Sequence, residues 1–378
     1  MTRLIIVLLL FTQLVACAQE QVKDISVNPM AFYRMDTVVA DMLKKDLEVF
    51  LDDVKNNPFA STVIDKNYME QDPDAFVFFT TADNGGTCEP VLMHVNELNA
   101  TEYMVKLAYT RTGEAGTTIN CIYNLLARRQ ENGFRFFSPA VYHAAAMHTY
   151  VAGSVTYKYN GNINKEACKK MDGINQGIAV LFNQPVRPVT YYKFANAVTL
   201  FNFLGFEYLP NMYFDTTGGF IKHQAGEVLA ANNSEIYEHE FVHFYTRDIT
   251  NGPINHYADE GLATLIGGSG GITYEAGLKR VYERIQEKNI TNIYEGFVGD
   301  FQVDQKVSVK YFLSALICKL IRDRKGMAGL TDVLKAPNTI EGFLSKTRET
   351  LQLDEQNFNV RMMELLEQEM QRSPAKLL

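Results

Sequence analysis

His239, Glu240 and His243, in the segment YEHEFVHFYT (residues 237–246), set two imidazoles four residues apart with a carboxylate directly after the first. On a helix, residues four apart share one face, one turn from each other. Two imidazole nitrogens so placed can reach a single Zn²⁺ at about 2.0–2.1 Å. Glu240, next to the first histidine, cannot easily bind the same ion. It can instead take a proton from a water that the ion holds, the general-base role of the HExxH pattern. The neighbours Phe241, Val242, Phe244 and Tyr245 are uncharged, so the helix can be buried with only its ligands facing a cleft. The competing reading of the motif alone is a packed helix whose histidines bond to backbone.

A zinc site of this type takes a third protein ligand and leaves a fourth position open. Ile249 occupies the place where the metzincins have a third histidine, and Thr246 the place of their glycine, so that pattern fails. Asn251-Gly252-Pro253 instead stops the helix. A second helix is expected from Ala258 in ADEGLATLIGG, residues 258–268, and it carries Glu260 in its first turn. HEFVH followed by DEGLA resembles the gluzincin metallopeptidases, the class of thermolysin and the aminopeptidase N type. The resemblance implies that His239, His243 and Glu260 hold one Zn²⁺ per chain and that Glu240 is the base. It extends in layout over residues 185–335, but its specific content is confined to these short segments. Thr264 stands where thermolysin has an aspartate that orients a ligand, which leaves that task to another group such as Asp259 or Asp248. VKYFLSALICKLI, residues 309–321, is similar to the aminopeptidase-type helix that supplies an oxyanion donor. The resemblance implies that role for Tyr311, with Tyr274 and Tyr294 as alternatives. GEVLA, residues 226–230, falls where gluzincins present an edge strand to substrate backbone. The aminopeptidase segment that holds a substrate amine is absent, so exopeptidase activity has no support.

These residues must be positioned by a larger framework. Asp36 is placed to cap a helix whose apolar positions Val39, Met42, Leu43, Leu47, Phe50, Leu51 and Val54 recur at intervals of three and four. The period then changes to two, with Tyr103, Val105, Leu107 and Tyr109 on one strand and a further run from Ile119 to Ala127. Glu131-Asn132-Gly133 reads as a hairpin turn between 123–130 and 134–140. A helix followed by antiparallel strands predicts an α+β fold, with the helix on a curled sheet. Its pattern is loosely similar to the cystatin and nuclear-transport-factor types. Gly and Asn in YNGNIN, residues 159–164, mark the expected boundary. The resulting division is a signal segment at 1–18, a tether at 19–35, an α+β accessory domain at 36–160 and a gluzincin-like domain at 161–378. Within the last, a helix is expected at 165–182, a strand at 189–193, a helix at 195–204 and a hairpin over 219–233. Asn233 or Ser234 is expected to cap the histidine helix.

The first residues resemble an export signal, with Arg3 ahead of an apolar run from Leu4 to Leu10. Leu14-Val15-Ala16-Cys17 resembles a bacterial lipobox, which would lipidate Cys17 and anchor the chain to a membrane. The same stretch reads as an ordinary cleavage site before Gln19, giving a periplasmic or secreted form. A net charge of −8 and the lack of any Lys/Arg cluster exclude a nucleic-acid partner. Cys88, Cys121, Cys168 and Cys318 allow disulfides or buried thiols alike. The function expected is a zinc-dependent metallopeptidase acting on a peptide or protein substrate outside the cytoplasm. The alternative is a surface binding or assembly protein that uses an inactive zinc fold, or one that hydrolyses another bond.

Overall fold

Asp36 accepts hydrogen bonds from the amides of Val38 and Val39 at 3.0 and 3.2 Å and so starts the helix Thr37–Asn56 where its short side chain can satisfy the free amides. The structure, a computed structural model, describes residues 25–56, 60–71, 76, 87–114, 116–214, 218–304 and 306–372. Cys17 and the signal segment lie outside these residues. The chain divides into two units, Met1–Ala140 with Leu204–Pro210, and Val141–Phe203 with Asn211–Leu378. Both mix helices with sheets, and the fold is α+β.

In the first unit, Leu43, Leu47, Phe50 and Val54 of the long helix are buried. The sheet runs in the order β1 (Ser26–Val27), β2 (Glu89–Glu97), β3 (Glu102–Gly113), β4 (Gly116–Gln130) and β5 (Gly133–Phe137), and β9 (Phe206–Tyr208) also pairs with β4. All pairs are antiparallel except β1 with β2. The helix meets β5: Asp46 accepts from the Phe134 amide at 2.7 Å, and the Phe50 and Phe136 rings lie 5.0 Å apart. Gly133, at φ 135°, turns the expected hairpin. The expected tether needs correction over its described part. Ile25 and Ala31 are buried and β1 pairs with β2, because the free edge of β2 offers backbone partners that an apolar segment can use.

The expected boundary near residue 160 also shifts. β6 (His148–Ala152) and β7 (Val155–Tyr159) belong to the second sheet, whose order is β10 (Gly219–Lys222), β11 (Glu227–Ala230), β8 (Val189–Lys193), β7, β6. β7 and β11 flank β8 in parallel, while both outer pairs are antiparallel. The hairpin 148–159 is committed to this sheet by the parallel register Val155↔Val189 to Tyr159↔Lys193, a long-range pairing without a local signal. GEVLA is likewise corrected. As β11 it is paired on both sides, and β10 lies outside it at one edge of the sheet. Helices at Lys165–Leu181, Glu238–Thr250, His256–Gly267 and Val309–Leu334, the last broken at Gly326, bury their apolar residues in one cluster with this sheet. No described helix is long and apolar enough to cross a membrane. The four described cysteines are buried free thiols.

Candidate metal centre

The histidine helix, Glu238–Thr250, begins later than its local sequence indicates, and neither Asn233 nor Ser234 caps it. The carbonyls of Ser234 and Glu235 accept instead from the hydroxyls of Tyr191 and Tyr157, at 2.9 and 3.0 Å. The Glu235 side chain is held by Lys193 at 2.7 Å and by the Asn164 amide at 2.9 Å. Buried tyrosines of the sheet thus claim the groups that another helical turn would need. At its other end Asn251 takes a left-handed conformation, φ 46° and ψ 43°, and its amide returns to the Arg247 carbonyl. Asn255 then caps the glutamate helix, His256–Gly267, accepting from the Ala258 amide at 3.2 Å.

Two glycines let this second helix come close. A Cβ on Gly267 would sit 2.2 Å from the His239 amide nitrogen, and one on Gly261 would sit 2.7 Å from Ser314 on the helix Val309–Leu334. Because of that approach, Glu260 lies against both histidines. Its Oε2 is 3.2 Å from His239 Nε2, and its Oε1 is 3.8 Å from His243 Nε2. One donor atom from each of the three residues falls within 4.8 Å of the others, so His239, His243 and Glu260 could hold a metal ion.

The outer contacts suit that task. His239 Nδ1 lies 2.6 Å from the Gly268 carbonyl, which can only accept, so in the neutral ring Nδ1 carries the hydrogen and Nε2 offers a lone pair. His243 Nδ1 lies 3.0 Å from Asp259 Oδ1, an ion-pair distance that falls off the line of a straight hydrogen bond. The Thr246 hydroxyl donates to the same Asp259 oxygen at 2.6 Å. Asp259 is therefore placed to orient His243, and it directly precedes Glu260. Asp248 is engaged elsewhere, with Arg187 and His223. Two imidazole Nε2 atoms and one carboxylate, each imidazole turned by its own Nδ1 contact, fit a small divalent cation.

Opposite charges face one another inside this buried cluster. Burial alone would lower the His243 pKa, but Asp259, with Glu260 and Glu240, outweighs it and holds the imidazole up at about 9. Burial would raise Glu260, but the neighbouring imidazoles in their protonated form, His239 first and then His243 and His256, bring it down to about 2. Burial does win at Glu240, whose carboxyl is pushed up against the pull of both histidines. Glu240 lies outside the ligand set and is 6% exposed.

Tyr311 joins the cluster. Its amide donates to Ser308 Oγ at 3.2 Å, and that hydroxyl donates to Asp300 at 2.5 Å, which fixes the start of its helix. The charge of Glu260 acts on the Tyr311 hydroxyl. Burial first, then the charges of Glu260, Asp300 and Glu240, keeps it protonated as a donor. The alternatives do not arrive there. Tyr274 reaches Glu369 at 3.4 Å, and Tyr294 packs on Phe358. His256 Nδ1 comes within 3.9 Å of Glu260 Oε1 from the preceding turn. Two contributors were not expected: the Gly268 carbonyl, just past the end of the glutamate helix, and Tyr237, whose ring centre lies 6.4 Å from that of His239.

Asp259 gives a direct test. Asp259→Asn keeps the shape but removes the charge behind His243, so metal affinity is expected to fall by about 10–100-fold, read by competition with a chelating dye. Unchanged affinity would assign Asp259 to packing alone. No protein-family model, no curated protein and no solved structure matches the chain, so the functional reading rests on the geometry of the site.

Proposed function

We propose that the chain is a zinc-dependent hydrolase of the gluzincin kind, cleaving peptide bonds outside the cytoplasm. The observation that carries this reading is the convergence of His239, His243 and Glu260 within 4.8 Å, with a fourth ionisable group, Glu240, buried beside them. A structural metal site has no use for that carboxylate, whose burial is costly unless its proton affinity is used. Zn²⁺ held by the three side chains would supply Lewis acidity and make water acidic near pH 7. Glu240 takes the proton from the attacking water and returns it to the leaving amine. Tyr311 donates to the oxygen on which charge develops. The Gly268 carbonyl and Asp259 hold the two imidazoles in register throughout.

The remaining assignments belong to the same proposal. The first unit, with its long helix against antiparallel strands, is an accessory domain of cystatin-like pattern. The N-terminal segment directs export, ending either in a lipid anchor at Cys17 or in a free mature form. The test is metal analysis of residues 19–378 with a peptide-library assay. A single zinc ion per chain is expected, together with cleavage that a chelator abolishes and zinc restores. The melting temperature is expected to drop on chelation, since a ligand that binds only the folded state stabilises it. A chain that takes up no zinc and melts unchanged in chelator would overturn the reading.

A further inference from the structure

Gly173, Ile174 and Gly177 recur at the spacing of one helical face on Lys165–Leu181. The face that carries Cys168, Met171, Asn175 and Ile178 is buried, whereas this one borders a cavity of about 610 Å³. The cavity is bounded on its other sides by Glu238, by the end of the glutamate helix from Leu265 to Gly268, and by Tyr274. A glycine inside a helix is destabilising, and nothing at Gly173 requires one. Its φ is not positive, and a Cβ there would meet no atom within 4 Å. Its effect is to leave the space open. Ile174, Leu265 and Ile266 supply apolar walls, and Tyr274, its hydroxyl engaged by Glu369 at 3.4 Å, adds an aromatic one. Glu238 is half-buried in the wall, and its carboxylate makes no hydrogen bond or ion pair to any described residue. Lys170 and Glu275 are exposed at the rim. Their opposite charges offset each other there and are screened by salt. The field inside the cavity is therefore set by Glu238, and it is negative.

We propose that this cavity is a binding site for a small organic ammonium ion with an apolar body, the ammonium on Glu238 and the body against Ile174, Leu265 and Ile266. Its volume lies in the range of small-molecule sites, about 300–1,000 Å³, and such sites pair mostly apolar walls with a few polar groups. Charge decides which apolar molecule fits. An uncharged one would bury the Glu238 carboxylate without a partner, at a cost, and an anion would add repulsion to that cost. An ammonium ion supplies donors to the carboxylate in a charge-assisted hydrogen bond while its chain covers the apolar walls. The site is separate from the metal centre and does not rest on the hydrolase reading. It shares no side chain with the ligand set, although it borders it, since Glu238 directly precedes His239 and the Gly268 carbonyl lies 2.6 Å from His239 Nδ1.

The test is calorimetric titration of the full chain with n-hexylammonium, n-hexanol and hexanoate, which share one apolar body and differ in charge. Wild type, Glu238→Gln and Gly173→Leu are compared, each checked by a thermal melt. Saturable binding of a single hexylammonium per chain is expected, with hexanol weaker by about tenfold or more, the worth of one hydrogen bond to a charged group, and hexanoate weaker still. Glu238→Gln is expected to lower hexylammonium affinity by the same factor and to leave hexanol little changed, a difference that isolates the charged contact from the apolar one. Gly173→Leu puts a side chain where a Cβ meets no atom, so the fold is expected to hold and both hexylammonium and hexanol to bind less tightly as the space fills. Hexylammonium that does not saturate, that hexanol or hexanoate matches in affinity, or that binds Glu238→Gln as tightly as wild type would overturn the proposal. Binding that survives both substitutions would place the amine elsewhere on the chain, the metal centre included. Peptide cleavage enters none of these outcomes, so a failure here and a failure of the hydrolase reading are told apart.

Discussion

Glu240→Gln is expected to reduce peptide cleavage by about 10²–10⁴-fold, the usual contribution of a positioned general base, while zinc content stays at the wild-type level. The two halves of this expectation come from different observations. Zinc is retained because the ligand atoms that converge belong to His239, His243 and Glu260, and the substituted residue is not among them. Activity is lost because an amide has the shape of the carboxylate but cannot take up a proton. Burial already pushes the Glu240 carboxyl up, so its charge is a cost in the folded state that the neutral amide avoids. The melting temperature is therefore expected to hold. A variant that loses activity together with zinc, or together with its fold, would show instead that Glu240 is part of the framework. The measurements are single-turnover cleavage, metal analysis and a thermal melt on the same preparation. Cleavage retained by Glu240→Gln would remove Glu240 from the role of base, whereas a wild type that binds zinc and cleaves nothing would leave the surface-binding alternative as the better account of the same metal centre.

The site was more legible in the sequence than the framework around it, for a physical reason. His239 and His243 lie on one helix and Glu260 on the next, so their meeting depends on helical period and on a chain reversal between them, both written in local residues. The reversal itself is made by Asn251 in a left-handed conformation, in the stretch where Asn-Gly-Pro announced a stop. What could not be read locally depended on partners far along the chain. The start of the histidine helix is set by Tyr157 and Tyr191, which reach the Glu235 and Ser234 carbonyls from the sheet. A favourable capping residue at Ser234 was outweighed by those bonds. Strand order failed for the same kind of reason. GEVLA has the composition of a strand, but whether it is an edge depends on β8 pairing along its other side. Tyr237 was missed because a helix expected to begin earlier would have placed it inside the helix, and not at the threshold where its ring meets Gly219.

Tyr311→Phe is expected to lower kcat by about 10²–10³-fold, which corresponds to the roughly 2.7–4 kcal/mol supplied by a single oxyanion donor, with KM little changed. Only the hydroxyl is removed, so the ring packing and the Ser308 cap that begin its helix are preserved. Tyr274→Phe is the matched control, since that hydroxyl reaches Glu369 and not the metal ligands, and it should cleave at the wild-type rate. The interaction between Tyr311 and Glu260 admits a second role, as a brace for the ligand. Metal affinity distinguishes the two. A brace, once removed, loosens the cation and lowers activity only as far as zinc occupancy falls, so saturating zinc would restore the rate. A donor to developing charge leaves the affinity alone and the rate low at any zinc concentration, because the interaction it makes is stronger in the transition state than in the ground state. Burial and the nearby carboxylates keep the hydroxyl protonated, the state that both roles need, and the role proposed for it above is that of donor to the developing charge. The defect is therefore expected to persist at saturating zinc.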